Sequence, residues 1–293
     1  MTSFSTNGYK SGSNLEKMIR AGHFLVTGEL GPPRGADAEE VHKKAQHLKG
    51  MVDSVNITDN QTAVVRMSSA AASAIMVAAG LEPNFQMVCR DRNRLAMMSD
   101  ILGVSAMGVR NMLCLSGDHQ RFGNHPQAKN VFDLDSMQLI ALAKKMRDEG
   151  QFLNGEELDV APRLFIGAAS NPFADPTEFR IYRLAKKIAA GVDFVQTQCI
   201  YNMDIFRDFM KKAVDMGLHE KCYILAGVTP MKSVGMARYM KKSVPGMDVP
   251  DEVVKRLADT PKEKQAEEGI KMCIESIQRL KDVEGVAGFQ WIV

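Results

Sequence analysis

Two carboxylates and one carboxamide sit where a chain has no need of them for folding. Glu29 lies in "VTGELGPPRG" (26–35), at the end of an apolar run and just before the Gly31-Pro32-Pro33 stop. Asp118 follows "NMLCLSG", and Gln198 interrupts "DFVQTQCIY". Taken singly, each could be a satisfied hydrogen-bonder at a strand end; together, with several hydroxyls nearby, they form a set suited to acid and base assistance to a cofactor that performs the harder step.

Other polar residues fall at comparable places: Thr58, Asp59 and Asn60, then Gln86 and Arg90, then Ser116 and Gly117, then Ser170 and Asn171, and finally Gln196 and Tyr201. Asp37, Thr177 and Asp204 read as caps of the helices that follow them. The chain has no GxGxxG after a strand, no GxxxxGK[ST] and no GxSxG, so dinucleotide, P-loop and nucleophile-elbow readings lack support. Its five cysteines have no CxxC spacing and read as buried reduced thiols, and its six histidines are dispersed, so no metal site is expected. His119 and His125, in a loop read as functional, are expected to be solvated.

These residues need a frame that brings distant segments together. In 293 residues, 45% hydrophobic and 25% charged with net charge +2, the composition is that of an ordinary folded domain. Scattered basic residues argue against nucleic acid, and apolar runs fall short of the ~20 residues of a spanning helix. With a polar start, "MTSFSTNGYKSG", the expected location is the cytoplasm. Eight strand-like runs (24–30, 54–59, 84–90, 111–117, 163–170, 193–201, 222–228 and 287–293) alternate with helix-period segments at 37–49, 66–80, 92–103, 134–148, 176–190, 204–217, 231–242 and 250–282. In 176–190, Phe179, Tyr182, Leu184 and Ile188 are expected to form the packing stripe, with Arg180, Arg183, Lys186 and Lys187 pointing away. A short helix, with Ser13 and Glu16 at capping-box spacing, opens the domain.

Such alternation predicts an α/β fold of parallel strands. A single-domain (β/α)8 TIM barrel over 1–293 is the natural solution, and a doubly wound sheet is the alternative. In a barrel the polar ring belongs at the carboxyl ends of the strands, where βα loops carry chemistry. The longest non-periodic stretch, 118–133, is one of those loops.

The elements "GELGPPRG", "SVNITDN", "LSGDHQ", "AASNP" with "KKIAAGVDFVQTQCIY", and "AGVTPMKS" resemble, in order and placement, the methylenetetrahydrofolate reductase family, from about residue 15 onward. The resemblance implies flavin-dependent reduction of 5,10-methylenetetrahydrofolate to 5-methyltetrahydrofolate. Glu29 then corresponds to the general acid that protonates the leaving folate nitrogen, its neutral form favoured by desolvation, while the neighbouring glycines let substrate approach the backbone. Asp118 corresponds to the aspartate beside flavin and pterin, and Gln198 to the amide that reads the pterin, with Tyr201 and Asn60 as further substrate contacts. Thr58, Gln86, Ser116 and Gly117 on one side, and Ala169, Asn171 and Lys187 on the other, take the cofactor-binding positions.

The chain also departs from the family's pattern. Gln86 and Asn171 stand where histidines occur, Ser116 where an arginine occurs, and Arg180 where an acidic residue occurs. FAD is implied by the resemblance, with FMN the alternative that these departures raise. Because Val293 falls within the eighth strand, the last helix is expected to be missing and apolar surface to be left on the first and eighth strands. That resembles the branch that works with an iron-sulfur partner subunit, which would deliver the electrons. Two other readings stay open: a flavin-free pterin-binding methyltransferase or carrier barrel, and a docking subunit of a redox complex.

Overall fold

Each strand pairs in parallel with the next in sequence: Leu25–Leu30 (β1), Ser54–Ile57 (β2), Pro83–Val88 (β3), Asn111–Leu115 (β4), Phe165–Ser170 (β5), Phe194–Cys199 (β6), Tyr223–Val228 (β7) and Val286–Trp291 (β8). β8 pairs with β1 through Leu25 opposite Gly288 and closes the ring, so the architecture is the barrel and not the open sheet. The structure is a computed structural model that describes residues 8–292; residues 1–7 and Val293, the last residue of the expected eighth strand, lie outside the described residues.

The helices are Asn14–Arg20 (α1), Ala38–Leu48 (α2), Ser69–Ala78 (α3), Arg94–Ala106 (α4), Ser136–Asp148 (α5), Arg180–Ala190 (α6), Met203–Asp215 (α7), Val234–Ser243 (α8), Asp251–Ala258 (α9) and Gln265–Lys281 (α10). The stretch 250–282 is two helices rather than one, divided at Pro261, which offers no N–H to continue the ladder. Among the described residues no helix is long and apolar enough to cross a membrane.

No helix follows β8 among the described residues; the side of β8 toward β7 is lined by the helix that precedes it. The β7–β8 connection sends α10 back along the barrel, where Leu280, Cys273 and Ile277 join the same apolar cluster as Phe289 of β8. On the outer side of this helix, Ile270 and Ile274 are about half exposed, at 51% and 50%.

α1 plugs the bottom of the barrel. Its Leu15 and Ile19 pack against the inward residues Leu25, Phe165, Phe194 and Leu225, and the rings of Phe165 and Phe194 stack at 5.3 Å. Ser13 caps the helix by accepting from the Glu16 N–H at 3.0 Å, but the box is not reciprocal. The buried Glu16 carboxylate turns instead to the N–H groups of Lys10, Ser11 and Gly12, at 2.7, 2.7 and 2.9 Å. Burial raises its pKa, yet these donors outweigh burial and hold it below the usual carboxylate range.

Alternation along the strands makes the inner wall polar on one side. Thr27 and Glu29 of β1, Asn56 of β2 and Asn84 and Gln86 of β3 share one face, whereas Val55, Ile57, Phe85 and Met87 join the clusters under the helices. The Asn84 amide donates to the Asn56 carbonyl oxygen at 2.6 Å, and Asn56 donates to Gly28 O at 3.1 Å, so this half of the barrel is joined by an amide ladder. Gly28 itself faces outward: a Cβ there would lie 3.1 Å from Leu48, so its smallness serves helix packing and not substrate approach.

Local corrections follow from the same packing. On α6 the buried stripe is Ile181 and Leu184, with Ala185 and Ile188 beside them, while Phe179 and Tyr182 are 58% and 56% exposed. Asp37 caps α2 as expected, but α7 is capped by Asn202, which accepts from Asp204 and Ile205, and Thr177 lies in a 3-10 turn before α6.

Candidate active site

The carboxyl mouth of the barrel holds two adjoining cavities. One, of 330 Å³, is lined by Glu29, Thr58, Asn60, Gln86, Arg90, Ser116, Gly117 and Asp118. The other, of 410 Å³, is lined by Gln86, Ala169, Asn171, Arg180, Arg183, Lys187, Gln196, Gln198 and Gln290, with Leu113, Leu115, Leu184 and Ile292 as apolar wall. Gln86 and Leu115 border both, which makes them two lobes of one site.

Eleven of the twelve residues expected at this site are thus arranged around the two lobes; Tyr201 is not. Its hydroxyl donates to Thr229 O at 3.0 Å, and the ring lines a small cavity with Met231, Met272 and Gly269 on the outer side of β7. Burial pushes its hydroxyl pKa strongly upward, consistent with a structural phenol.

Within the first lobe, Glu29 is 9% exposed at the end of β1. The Thr58 hydroxyl is buried with no hydrogen-bond partner among the described residues. Asp59, beside it, is structural: it accepts from Val88 N at 3.0 Å and from Arg92 at 2.6 Å. Asn60 accepts from Arg66 N at 3.0 Å and donates to Asp91 at 3.3 Å, so its side chain holds its own loop. That loop is strained, with positive φ at Asn60, Thr62 and Ala63. Gly117 has φ +90°, and a Cβ there would meet Val88 at 3.0 Å, so the turn that presents Asp118 needs glycine for both reasons. Ser116 accepts from Ser136 N at 3.3 Å.

Arg90 joins these pieces. It is 2% exposed and donates to Asp118 O at 3.0 Å, to Asn60 O at 3.2 Å and, through two bonds of 2.8 Å, to Asp91. Its own N–H donates to Ser116 O and its carbonyl accepts from Val131 N at 2.8 Å, so it pins both ends of the 118–133 loop. His119 in that loop is exposed and accepts from Arg121 N through Nδ1 at 3.2 Å; His125 is exposed too.

In the second lobe Lys187 does not point away from the sheet. It is partly buried and its Nζ donates to Ala169 O. Burial, and then the neighbouring Arg183 charge, push its pKa down to about 8. Arg180 donates to Ala174 O at 2.6 Å and to Asp175 O, bracing the β5–α6 turn. Asn171 accepts from Phe173 N at 3.0 Å, and the Gln198 carbonyl oxygen from Cys199 N at 3.0 Å. Burial pushes the Cys199 thiol up to about 11; Thr229 opposes this and the Glu29 charge adds to it.

Arg183, Gln196 and Gln290 line the lobe without having been singled out beforehand as site residues. Gln290 had the available signal of a polar residue in an apolar last strand; Arg183 had none, since its helix face depends on the α6 register. The arrangement as a whole offers a carboxyl lobe for proton handling, opening into an amide-lined, apolar-walled slot with cations at its rim. Among the described residues no group of three or more His, Cys, Asp or Glu could hold a metal ion.

Comparison with known proteins places this geometry in context. The sequence profile of the family described as "Methylenetetrahydrofolate reductase" matches residues 14–292. A Caenorhabditis elegans protein described as a probable methylenetetrahydrofolate reductase (NADPH) is 23% identical over 225 residues, 74% of this chain and 31% of that protein. The chain therefore spans about a third of that relative's length. Among solved structures, a protein from Clostridium thermocellum described as binding two copies of 5-methyl-5,6,7,8-tetrahydrofolic acid superposes with TM-score 0.61 at 15% identity, over 95% of this chain and 92% of its own. A 2,3-dimethylmalate lyase follows at TM-score 0.52 and 11% identity, over 95% and 79%. These two likenesses concern the fold.

Proposed function

The chain belongs to the methylenetetrahydrofolate reductase family, and from that premise we propose that it reduces 5,10-methylenetetrahydrofolate to 5-methyltetrahydrofolate with a bound flavin. The observation that carries the reading is that the lobe holding Glu29 and Asp118 opens, across Gln86 and Leu115, into the lobe holding Gln198 and Lys187. A folate occupant accords with the structural neighbour that binds 5-methyl-5,6,7,8-tetrahydrofolic acid.

The donor set suits a flavin. The buried Thr58 hydroxyl lacks a partner among the described residues, Lys187 and Arg183 suit a phosphate at the rim, and Ala169, Asn171, Ser116, Gly117 and Gln86 supply small or amide-bearing surface around the slot. A bound flavin would supply the two-electron chemistry that no side chain here provides. Glu29, buried at the end of β1, holds the proton destined for the folate nitrogen whose release opens the five-membered ring. Asp118 sets a negative charge beside the cation that develops on the folate, and Gln198, with its Nε2 uncommitted, addresses the pterin together with Asn60. FAD follows the family pattern; FMN is the alternative favoured by Arg180 in place of an acidic residue.

For the electrons we favour an iron-sulfur partner subunit, with direct use of a reduced pyridine nucleotide as the competing source. The deciding experiment is extraction of the purified protein for flavin with mass detection, followed by anaerobic assay of 5-methyltetrahydrofolate formation with chemically reduced protein. Bound flavin and product formation support the reading. Folate binding without flavin would favour the pterin carrier, and absence of both would overturn it. Flavin reduction by NADH or NADPH alone would remove the need for the partner.

A further inference from the structure

The most buried of the four glutamines around the 410 Å³ lobe is Gln196, at 2% exposure. It lies in β6 opposite Ala169 of β5 and Leu225 of β7, on the inward face that continues from Phe194. Neither its Nε2 nor its Oε1 has a hydrogen-bond partner among the described residues. Buried carboxamides are nearly always paired, and one that is wholly unpaired calls for a group from outside the chain. Gln198, two residues on, already spends its Oε1 on Cys199 N, whereas Gln196 is buried with both functions unspent.

The chemistry of that group follows from the carboxamide. One donor and one acceptor lie side by side in a plane, and their complement is a ring N–H adjacent to a ring C=O: a lactam edge. The apolar wall of Leu113, Leu115 and Leu184 suits the faces of a flat ring. We infer that Gln196 is a specificity-determining residue that pairs through both amide atoms with the lactam edge of a fused heteroaromatic ligand. This deepens the function proposed above and rests on it, because both the isoalloxazine of a flavin and the pterin of a folate carry such an edge.

The test separates the two sources. Gln196→Met keeps the length and flexibility of the side chain and removes both polar functions; Gln196→Leu serves as a second variant should the first misfold. Wild type and variant are titrated separately with FMN, FAD and 5-methyltetrahydrofolate, and ligand-free unfolding is followed alongside. The expected result is a loss of about 10-fold or more in affinity for one ligand class, the scale of a lost hydrogen-bonded pair, with ligand-free stability unchanged or raised because an unpaired buried amide has been removed. Loss confined to flavins assigns the isoalloxazine edge, and loss confined to the folate assigns the pterin edge. For the flavin case, FMN methylated at the ring N–H should bind wild type more weakly by a similar factor, with no mutation involved. A folded variant that binds both classes as wild type does, or that only loses stability, overturns the inference. Wild type that binds neither class overturns instead the reading on which it rests.

Discussion

Arg90 reaches Asp118 through the backbone: its Nη1 donates to the Asp118 carbonyl at 3.0 Å, not to the carboxylate. The second arm of the same guanidinium donates to Asn60 O at 3.2 Å. One buried cation at the end of β3 therefore fixes the two loops that bear the acidic and amide groups of the first lobe. Because the bonds go to main chain, the anchor holds the Asp118 loop without engaging the Asp118 carboxylate.

Replacing Arg90 tests that arrangement. Arg90→Met strands two loop carbonyls and leaves Asp91, itself partly solvated, to rehydrate; a cost of about 1–3 kcal/mol in unfolding free energy is expected. Arg90→Lys should fall between, since an ammonium cannot fork to two carbonyls and a carboxylate as a guanidinium does. Urea unfolding gives the stability, and the proposed turnover should fall in both variants. Turnover unchanged in Arg90→Met would mean that the position of Asp118 does not depend on this anchor.

Glu29→Gln keeps shape and hydrogen-bonding capacity and removes the transferable proton. Flavin binding should be retained, while turnover of the folate falls by on the order of 10²-fold or more. Stopped-flow measurement of the two half-reactions would separate these effects; an unaffected folate half-reaction would assign the proton to another group.

Much of this frame was legible beforehand because βα barrels obey two separate periods. Apolar runs alternating with helix-period segments mark all eight strands, and a polar residue at the carboxyl end of such a run has one place to be, which is how Glu29, Thr58, Gln86 and Gln198 stand out. Failures came where those periods do not reach. Tyr201 lies beyond the end of β6, where the chain is turning into α7 and alternation no longer dictates direction. On α6 the bulk of Phe179 and Tyr182 suggested the core face, but the register buries Ile181 and Leu184 and carries Lys187 to the cavity. Arg90 and Gln196 were visible as polar strand residues; their weight lies in what they bond, or do not bond, across strands far apart in sequence.

Glu16 gives a stability prediction independent of function. Its folded pKa lies below the ordinary value, so its contribution is complete above that ordinary value, about 4.3, and is lost as pH falls through the depressed folded one. Glu16→Gln should therefore destabilise the chain by about 2 kcal/mol at pH 7, the scale of hydrogen bonds to a buried charge. The gap between the two proteins should close in strongly acidic solution, where the native side chain is itself protonated. Chemical unfolding at several pH values measures it, and a gap independent of pH would show that the charge contributes nothing.

Lys187 carries the opposite sign. Burial lowers its pKa to about 8, so in ligand-free protein its charged form is disfavoured, and stability from this group rises as pH climbs from about 8 toward the ordinary lysine value. A phosphate bound at the rim reverses the preference by favouring the ammonium. Affinity for a flavin nucleotide should then be level below about pH 8 and fall as pH rises above it, while riboflavin, which has no phosphate, should show no such step. Lys187→Met should weaken the nucleotide at pH 7 and abolish the step. Fluorescence titrations of FMN and riboflavin at pH 7 and 9 check both expectations. If the two ligands respond alike, the phosphate does not sit against this lysine.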